Sequence, residues 1–356
     1  MKTLFEVTDV DRRFYEERLR GFLPETVIDV HTHVWSQQVK APVSSGPLRA
    51  VTWPARVARE SSAADLAETY RLMFPGKKVT PLIFGNVLDQ ADDIEGGNGL
   101  VAEGAREFGF PALLFAKPQW TAQDLDRRLE GGPFLGIKVY LTLADAYLPE
   151  KEIRIFDFLP PHQLDVMQRR RGIVMLHIPR DGRLRDPVNL TQMIEIEQRW
   201  PDVKVIIAHV GRAYCPEDIG TAFETLKKTR NMVFDFSANT NADVFKRLIE
   251  AVGPRRILFG SDLPITRMRM RRVCEKGNYV NLVPRGLYGD VSEDRHMREV
   301  TGAEASGLSF FLYEEIDAFR QAAGATSLSR ADIEDVFHNN AARLIKSAGT
   351  GKGSKS

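Results

Sequence analysis

Eight short runs rich in β-branched and aromatic residues recur along the chain, and no other feature constrains the fold as much. They are 26–31, 79–85 (VTPLIFG), 112–117 (ALLFAK), 134–140 (FLGIKVY), 173–178 (IVMLHI), 203–209 (VKVIIAH), 232–237 (MVFDFS) and 256–261 (RILFGS). Such residues suit the pleated, half-buried surface of a strand. Helical signals fill most of the gaps, at 98–108, 121–130, 161–171, 188–200, 216–229 and 241–252. Thr121 and Asp124 are spaced as a capping pair, and Pro187 and Pro216 suit first turns, where the N–H has no partner anyway. Parallel strands joined by helices make βα units, and eight units close into a ring. The fold class expected is therefore α/β, a (β/α)8 TIM barrel. An open doubly wound sheet is the competitor, but it would need a glycine-rich phosphate turn after the first strand, and none is present.

A chain of 356 residues with 43% apolar content can bury such a core as one domain. The expected division is a single barrel domain over 1–348, with long loops at 34–60 and 263–328, and a disordered Gly/Ser/Lys tail at 349–356. Capping pairs at Thr8/Asp11, Ser62/Asp65 and Ser329/Asp332 open further helices, and the last should lay Ile333, Val336, Phe337, Leu344 and Ile345 against the barrel. Net charge is +1, from 49 basic and 48 acidic residues, so no overall field favours nucleic acid or a membrane surface. No apolar run approaches the ~20 residues of a membrane span. Cys215 and Cys274 stand apart from each other and from any Cys/His cluster. No disulfide framework is expected, and a reducing cytoplasm fits.

Barrel active sites are built where the strands end. The first run ends in His31-Thr-His33, the fifth at His177, the sixth at His209 and the eighth at Asp262; four of the seven histidines thus close predicted strands. His31 and His33 are two apart and should share one strand face. Any one of these histidines alone reads as a structural cap of a strand end. As a set, imidazoles and a carboxylate suit zinc, or manganese or iron at some cost in affinity. A metal held this way keeps an open position, lowers the pKa of water toward ~7 and polarises a carbonyl.

The series VIDVHTH, MLHIP, IAHVG, LFGSDLP and HNNAARLI, spread over about residues 26–346, resembles the amidohydrolase superfamily. Within it the likeness is to the amidohydrolase-related branch of metal-dependent hydrolases and decarboxylases, of the 2-amino-3-carboxymuconate-semialdehyde decarboxylase type. The resemblance implies a distorted barrel with one divalent metal per chain, zinc or manganese, held by His31, His33, His177 and Asp262. It makes His209 the residue that polarises substrate or shuttles a proton, with Asp262 doubling as base. Lys138 stands where binuclear relatives carry a carboxylated lysine; here the expectation is one metal, with Lys138 meeting an anionic substrate. Arg180 and Arg212, each three residues past a strand-end histidine, and Trp35 are further candidates for substrate contact. The Arg267–Arg272 run reads as a solvated face.

The reaction expected is hydrolysis of a small carbonyl substrate, an amide, lactone or ester, through metal-activated water. Non-oxidative decarboxylation of an aromatic or unsaturated carboxylic acid is the alternative and uses the same ligands; an arginine able to hold a carboxylate would favour it. A nuclease on a similar barrel is disfavoured by the near-neutral charge and by FGSDLP, which lacks an adjacent glutamate. The expected partner is a small molecule, with an anionic one in view, and assembly into a homo-oligomer is compatible with the sequence.

Overall fold

The computed structural model describes residues 4–41, 56–86 and 89–348. Residues 42–55 of the 34–60 loop, with Trp53, and the 349–356 tail lie outside the described residues. Eight strands form one sheet in sequence order: β1 (Thr26–His33), β2 (Lys78–Phe84), β3 (Ala112–Phe115), β4 (Phe134–Val139), β5 (Ile173–Leu176), β6 (Lys204–Ile207), β7 (Val233–Asp235) and β8 (Ile257–Leu258). Each neighbouring pair is parallel. The ring closes where β8 runs out beside β1. The Val30 amide donates to Phe259 O at 3.0 Å, Asp262 N–H to His31 O at 2.8 Å, and His33 N–H to Leu263 O at 2.8 Å. The (β/α)8 barrel expected from the alternating runs is the fold observed.

One irregularity in β1 sets up everything at the mouth. Asp29 pairs with Pro81 and Thr32 with Ile83, so Val30 and His31 together oppose the single residue Leu82. Two residues against one is a β-bulge, which changes the phase of side-chain alternation. Before it, Ile28 and Val30 pack into the inner apolar cluster with Leu82, Phe84, Met175 and Ile206. After it, His31 and His33 also turn inward, with ring centroids 5.3 and 4.7 Å from that of Phe84. An unbroken strand that buried Ile28 and Val30 inside would have sent both histidines outward.

The helices cover the outside of the ring, among them α1 (Ala63–Met73), α2 (Ile94–Phe108), α3 (Ala122–Gly131), α4 (Pro161–Arg170), α5 (Pro187–Arg199) and α6 (Ala242–Val252). The capping pairs read from sequence form: Thr121 Oγ1 accepts from Asp124 N–H at 3.1 Å, and Ser62 Oγ from Asp65 N–H at 3.0 Å. The helix expected over 216–229 is broken. A short turn at Pro216–Asp218 and a helix at Ala222–Leu226 are separated by Gly220, whose φ of +50° leaves the helical region. The closing stripe serves two layers. Ile333, Val336 and Phe337 join the outer cluster, whereas Leu344 and Ile345 pack against the inner one.

Two expectations are corrected in the segment after β8. The 263–328 loop carries a second sheet, with β9 (Arg271–Glu275) antiparallel to β10 (Asn278–Pro284) and β11 (Met297–Val300) parallel to β10; beyond it GLSFFLYEEIDAFRQAA forms helix α7 (Phe311–Ala325), as its sequence predicts. The Arg267–Arg272 run is not a solvated face. Arg269 pairs with Asp11 at 2.6 Å, Arg271 with Glu314 at 3.0 Å, and Arg272 is buried. The β9–β10 hairpin folds back over the end of β6 and brings Cys274 to Cys215, 59 residues apart in sequence, in a disulfide. Two cysteines isolated in sequence are thus joined in space, which removes the argument from them to a reducing compartment. Among the described residues no helix is long and apolar enough to cross a membrane.

Candidate metal centre at the carboxyl ends of the strands

His31, His33 and Asp262 each bring one ligand-capable atom to within 4.8 Å of the other two, and all three are buried. The hydrogen bonds fix which nitrogen of each ring faces the carboxylate. His31 Nδ1 lies 2.9 Å from Asp235 Oδ2, an acceptor, so Nδ1 carries the proton. His33 Nδ1 donates in the same way to Gly85 O at 3.0 Å. The Nε2 atoms point at Asp262 Oδ1 from 3.6 and 3.2 Å. A neutral ring held by its Nδ1–H offers the Nε2 lone pair to a cation there, as the carboxylate offers Oδ1. Two imidazoles and a carboxylate form a donor set that suits a divalent cation such as zinc.

The charge states agree with the geometry. Burial, only partly offset by Asp235, lowers the pKa of His31 to about 4, so the ring is neutral at pH 7 as a ligand must be. Burial works against the charge of Asp262 as well, yet the rings of His33, His31 and His209 hold it at about 2. Asp262 has a φ of +59°, the left-handed region, which turns its carboxylate back over β1.

Behind this group stands a residue the sequence reading passed over. Asp235, at the end of β7, accepts through Oδ2 from His31, and through Oδ1 from His209 N–H (2.9 Å), Ser237 N–H (3.1 Å) and Ser237 Oγ–H (2.5 Å). Asp235 also falls within ligand distance of His31 and His209. Three donors on Oδ1 and one on Oδ2 fix the carboxylate, and its bond to Nδ1 orients the His31 ring. Burial opposes its charge, but His31 and His209 hold its pKa well below the ordinary value. Asp29 has a similar duty one layer down: it accepts from Tyr70 Oη–H at 2.7 Å, Ser261 N–H at 2.9 Å and His31 N–H at 3.1 Å, lacing β8 to β1. Gly260 lets these strands approach, since a Cβ there would lie 2.8 Å from His31 Cβ and 3.3 Å from Asp235 Cβ.

His209 flanks the group, its ring centroid 4.7 Å from that of His31. Its Nδ1 donates to Ser237 O at 3.1 Å, leaving Nε2 without a hydrogen bond among the described residues. Residues His209, Val210, Gly211 and Arg212 all have φ between +51° and +62°, a complete left-handed turn. Such a turn costs about 1–2 kcal/mol for each residue other than glycine, and strain of this kind collects at functional sites. It swings Arg212 back so that Nη1 donates to Pro179 O at 2.5 Å and to Ile178 O and Arg180 O at 3.4 and 3.3 Å.

The remaining expected residues divide. His177 falls outside the groups of three donors within 4.8 Å. It stands one ring further round the mouth, its centroid 5.3 Å from that of His209 and 4.7 Å from that of Tyr140. Its Nδ1 is buried without a hydrogen-bond partner, and burial, with Arg212 next in weight, drives its pKa well down. Lys138 is buried with Nζ 5.0 and 5.9 Å from the Phe84 and Tyr140 ring centres, and burial lowers it to about 8 against the pull of Asp262 and Asp235. Arg180 is not brought in. It pairs with Asp186 at 3.1 Å and Glu152 at 3.8 Å, at the start of α5. Trp35 is part of the core, its Nε1–H donating to Arg59 O at 3.0 Å.

An eight-stranded barrel with this His/Asp group at its mouth defines the class. The family model described as amidohydrolase matches residues 28–346. The chain belongs to the amidohydrolase family and is an enzyme of that superfamily. None of the curated proteins matches it. Among solved structures, it is similar to an amidohydrolase from Burkholderia multivorans with bound zinc, at 15% identity and a TM-score of 0.58, over 90% of this chain and 99% of that one. It is also similar to a probable 2-pyrone-4,6-dicarboxylic acid hydrolase from Acinetobacter baumannii with citric acid bound (14%, TM-score 0.54, 90% and 99%). A third is a 2,6-dihydroxybenzoate decarboxylase complexed with 2,6-dihydroxybenzoate (16%, TM-score 0.51, 91% and 100%). At these identities the likeness carries the fold.

Proposed function

We propose that this chain is a metal-dependent hydrolase of a small carbonyl substrate, an amide, lactone or ester. One observation carries the reading: the Nε2 atoms of His31 and His33 converge on Asp262 Oδ1 from 3.6 and 3.2 Å, three buried atoms of ligand type in one place. His31, His33 and Asp262 would hold one divalent cation, zinc or manganese. His177, the further ligand expected, lies outside that group and presents an unsatisfied Nδ1 from the β5 side of the mouth. The cation, once bound, supplies polarisation of a carbonyl oxygen and acidification of water. Asp235 keeps His31 in the Nδ1–H tautomer throughout. His209 moves the proton: Nε2 takes it from the attacking water and returns it to the departing nitrogen or oxygen.

A second reading is supported by the cations at the mouth. Lys138 and Arg212 stand beside the histidines and would suit a carboxylic acid undergoing decarboxylation. Turnover of a panel of esters, lactones, amides and aromatic acids by the zinc-loaded enzyme tests both. Product bearing 18O from labelled water establishes hydrolysis; stoichiometric CO2 from an aromatic acid overturns it in favour of the second reading.

A further inference from the structure

Two guanidinium groups lie in one aromatic stack beyond His209, and they differ in what balances them. The Tyr214 ring is 6.5 Å from that of His209 and 5.0 Å from that of Tyr279. Arg183 lies 5.4 and 5.0 Å from those two tyrosines and is neutralised by Asp218 at 2.6 Å. Arg272 lies 4.6 and 4.5 Å from the same tyrosines and 4.7 Å from Phe311. It is 8% exposed, and among the described residues no carboxylate comes within 4.0 Å of it. The closest acid by connection is no help. Glu315 accepts from Ala238 N–H whereas Arg272 donates to Ala238 O, so the two sit on opposite sides of one residue without pairing, and burial pushes the Glu315 pKa up.

Arg272 Nε donates to Asn281 Oδ1 at 2.8 Å and Nη1 to Ala238 O at 2.5 Å, while Nη2 has no hydrogen bond among the described residues. Asn281 is fully buried and its Nδ2 is also without a partner. The amide is in the right orientation, since a flip would set its NH2 against the guanidinium. Arg272 and Asn281 are cross-strand partners on β9 and β10, so both point from one face of the hairpin. Cys274, two residues on, is bonded to Cys215 next to Tyr214, which pins the hairpin to the end of β6. A buried cation without an anion costs more than its ring contacts return, and a buried NH2 without an acceptor adds to that cost. Both deficits are met by one ligand: a carboxylate.

We propose that Arg272 and Asn281 form a receptor for a carboxylate carried by the substrate, placed on the His209–Tyr214 side of the mouth. This rests on the reading of the His/Asp group as the reacting centre and adds the substrate class, a small carboxylated carbonyl compound. The test uses zinc-loaded protein and calorimetric titration with isophthalate, its uncharged diamide and inorganic phosphate. Isophthalate should bind at least about tenfold more tightly than the diamide, and Arg272→Met should remove that preference while zinc content stays at the wild-type level. Arg272→Gln, which retains a donor for Asn281 and Ala238, should weaken isophthalate as much and serves if the methionine variant does not fold. Isophthalate binding that is equal in wild type and either variant, or equal to that of the diamide, would overturn the proposal. Phosphate binding as tightly as isophthalate would also overturn it, by assigning the pocket to a free anion. Loss of zinc from the wild type would sink the metal reading instead, so the two failures are distinct.

Discussion

The two sides of the barrel mouth are built differently. On the β7–β8–β1 side every auxiliary atom is tied down: His31 Nδ1 to Asp235, His33 Nδ1 to Gly85 O, and Asp235 by four donors. On the β4–β5 side the polar atoms are open. His177 Nδ1 has no partner, and Lys138 Nζ makes no hydrogen bond or ion pair among the described residues. The first side is preorganised to hold a cation, which needs fixed lone pairs. The second holds an imidazole nitrogen and an amine with no hydrogen-bond partner among the described residues.

The sharpest way to break this contrast is Asp262→Asn. It removes the only charged member of the group that faces both Nε2 atoms, so metal affinity should fall by more than the ~10–100-fold typical of groups that only orient a ligand, and turnover with it. Asp235→Asn comes next. Losing the acceptor for His31 should cost about 10–100-fold in metal affinity although no ligand is removed, as read by competition with a chromogenic chelator. Gly260→Ala drives a methyl into His31 Cβ and should destabilise the fold by about 1–3 kcal/mol, with a smaller loss of affinity.

Lys138→Met probes the open side and should change metal affinity least. In the fold the Lys138 pKa is about 8 against an ordinary 10.5, so its charged form is disfavoured by burial. The resulting cost is present below pH 8 and is lifted as pH rises from 8 towards 10.5. Wild-type stability in chelator should therefore climb across that window relative to Lys138→Met, with a slope of up to about 1.4 kcal/mol per pH unit. Urea melts at pH 7, 9 and 10 would show it; parallel curves for the two proteins would place the amine in contact with water.

The strands and the histidines that end them were legible because both depend on local pattern. Alternating apolar runs specify β1 to β8, and the same-face rule correctly pairs His31 with His33. The bulge at Val30–His31 was not legible, since it depends on the partner strand β2. Asp235 and Ser237 were within reach: in MVFDFS they are two apart at a strand end, the same spacing as the histidine pair. Arginines were misjudged because closeness in sequence to a histidine says little about direction. Arg180, three residues past His177, turns to Asp186, while Arg272, 63 positions past His209, reaches the stack beside it. The Cys215–Cys274 bond failed to show for the same reason, being made by a hairpin that folds back.

The proposed site holds one cation, between the groups on the tied side of the mouth. Metal analysis of protein dialysed against zinc and then against buffer measures this directly. The wild type should retain close to one equivalent and Asp262→Asn should lose it. Two tightly held equivalents with a carboxylated Lys138, or one equivalent undiminished in Asp262→Asn, would contradict it.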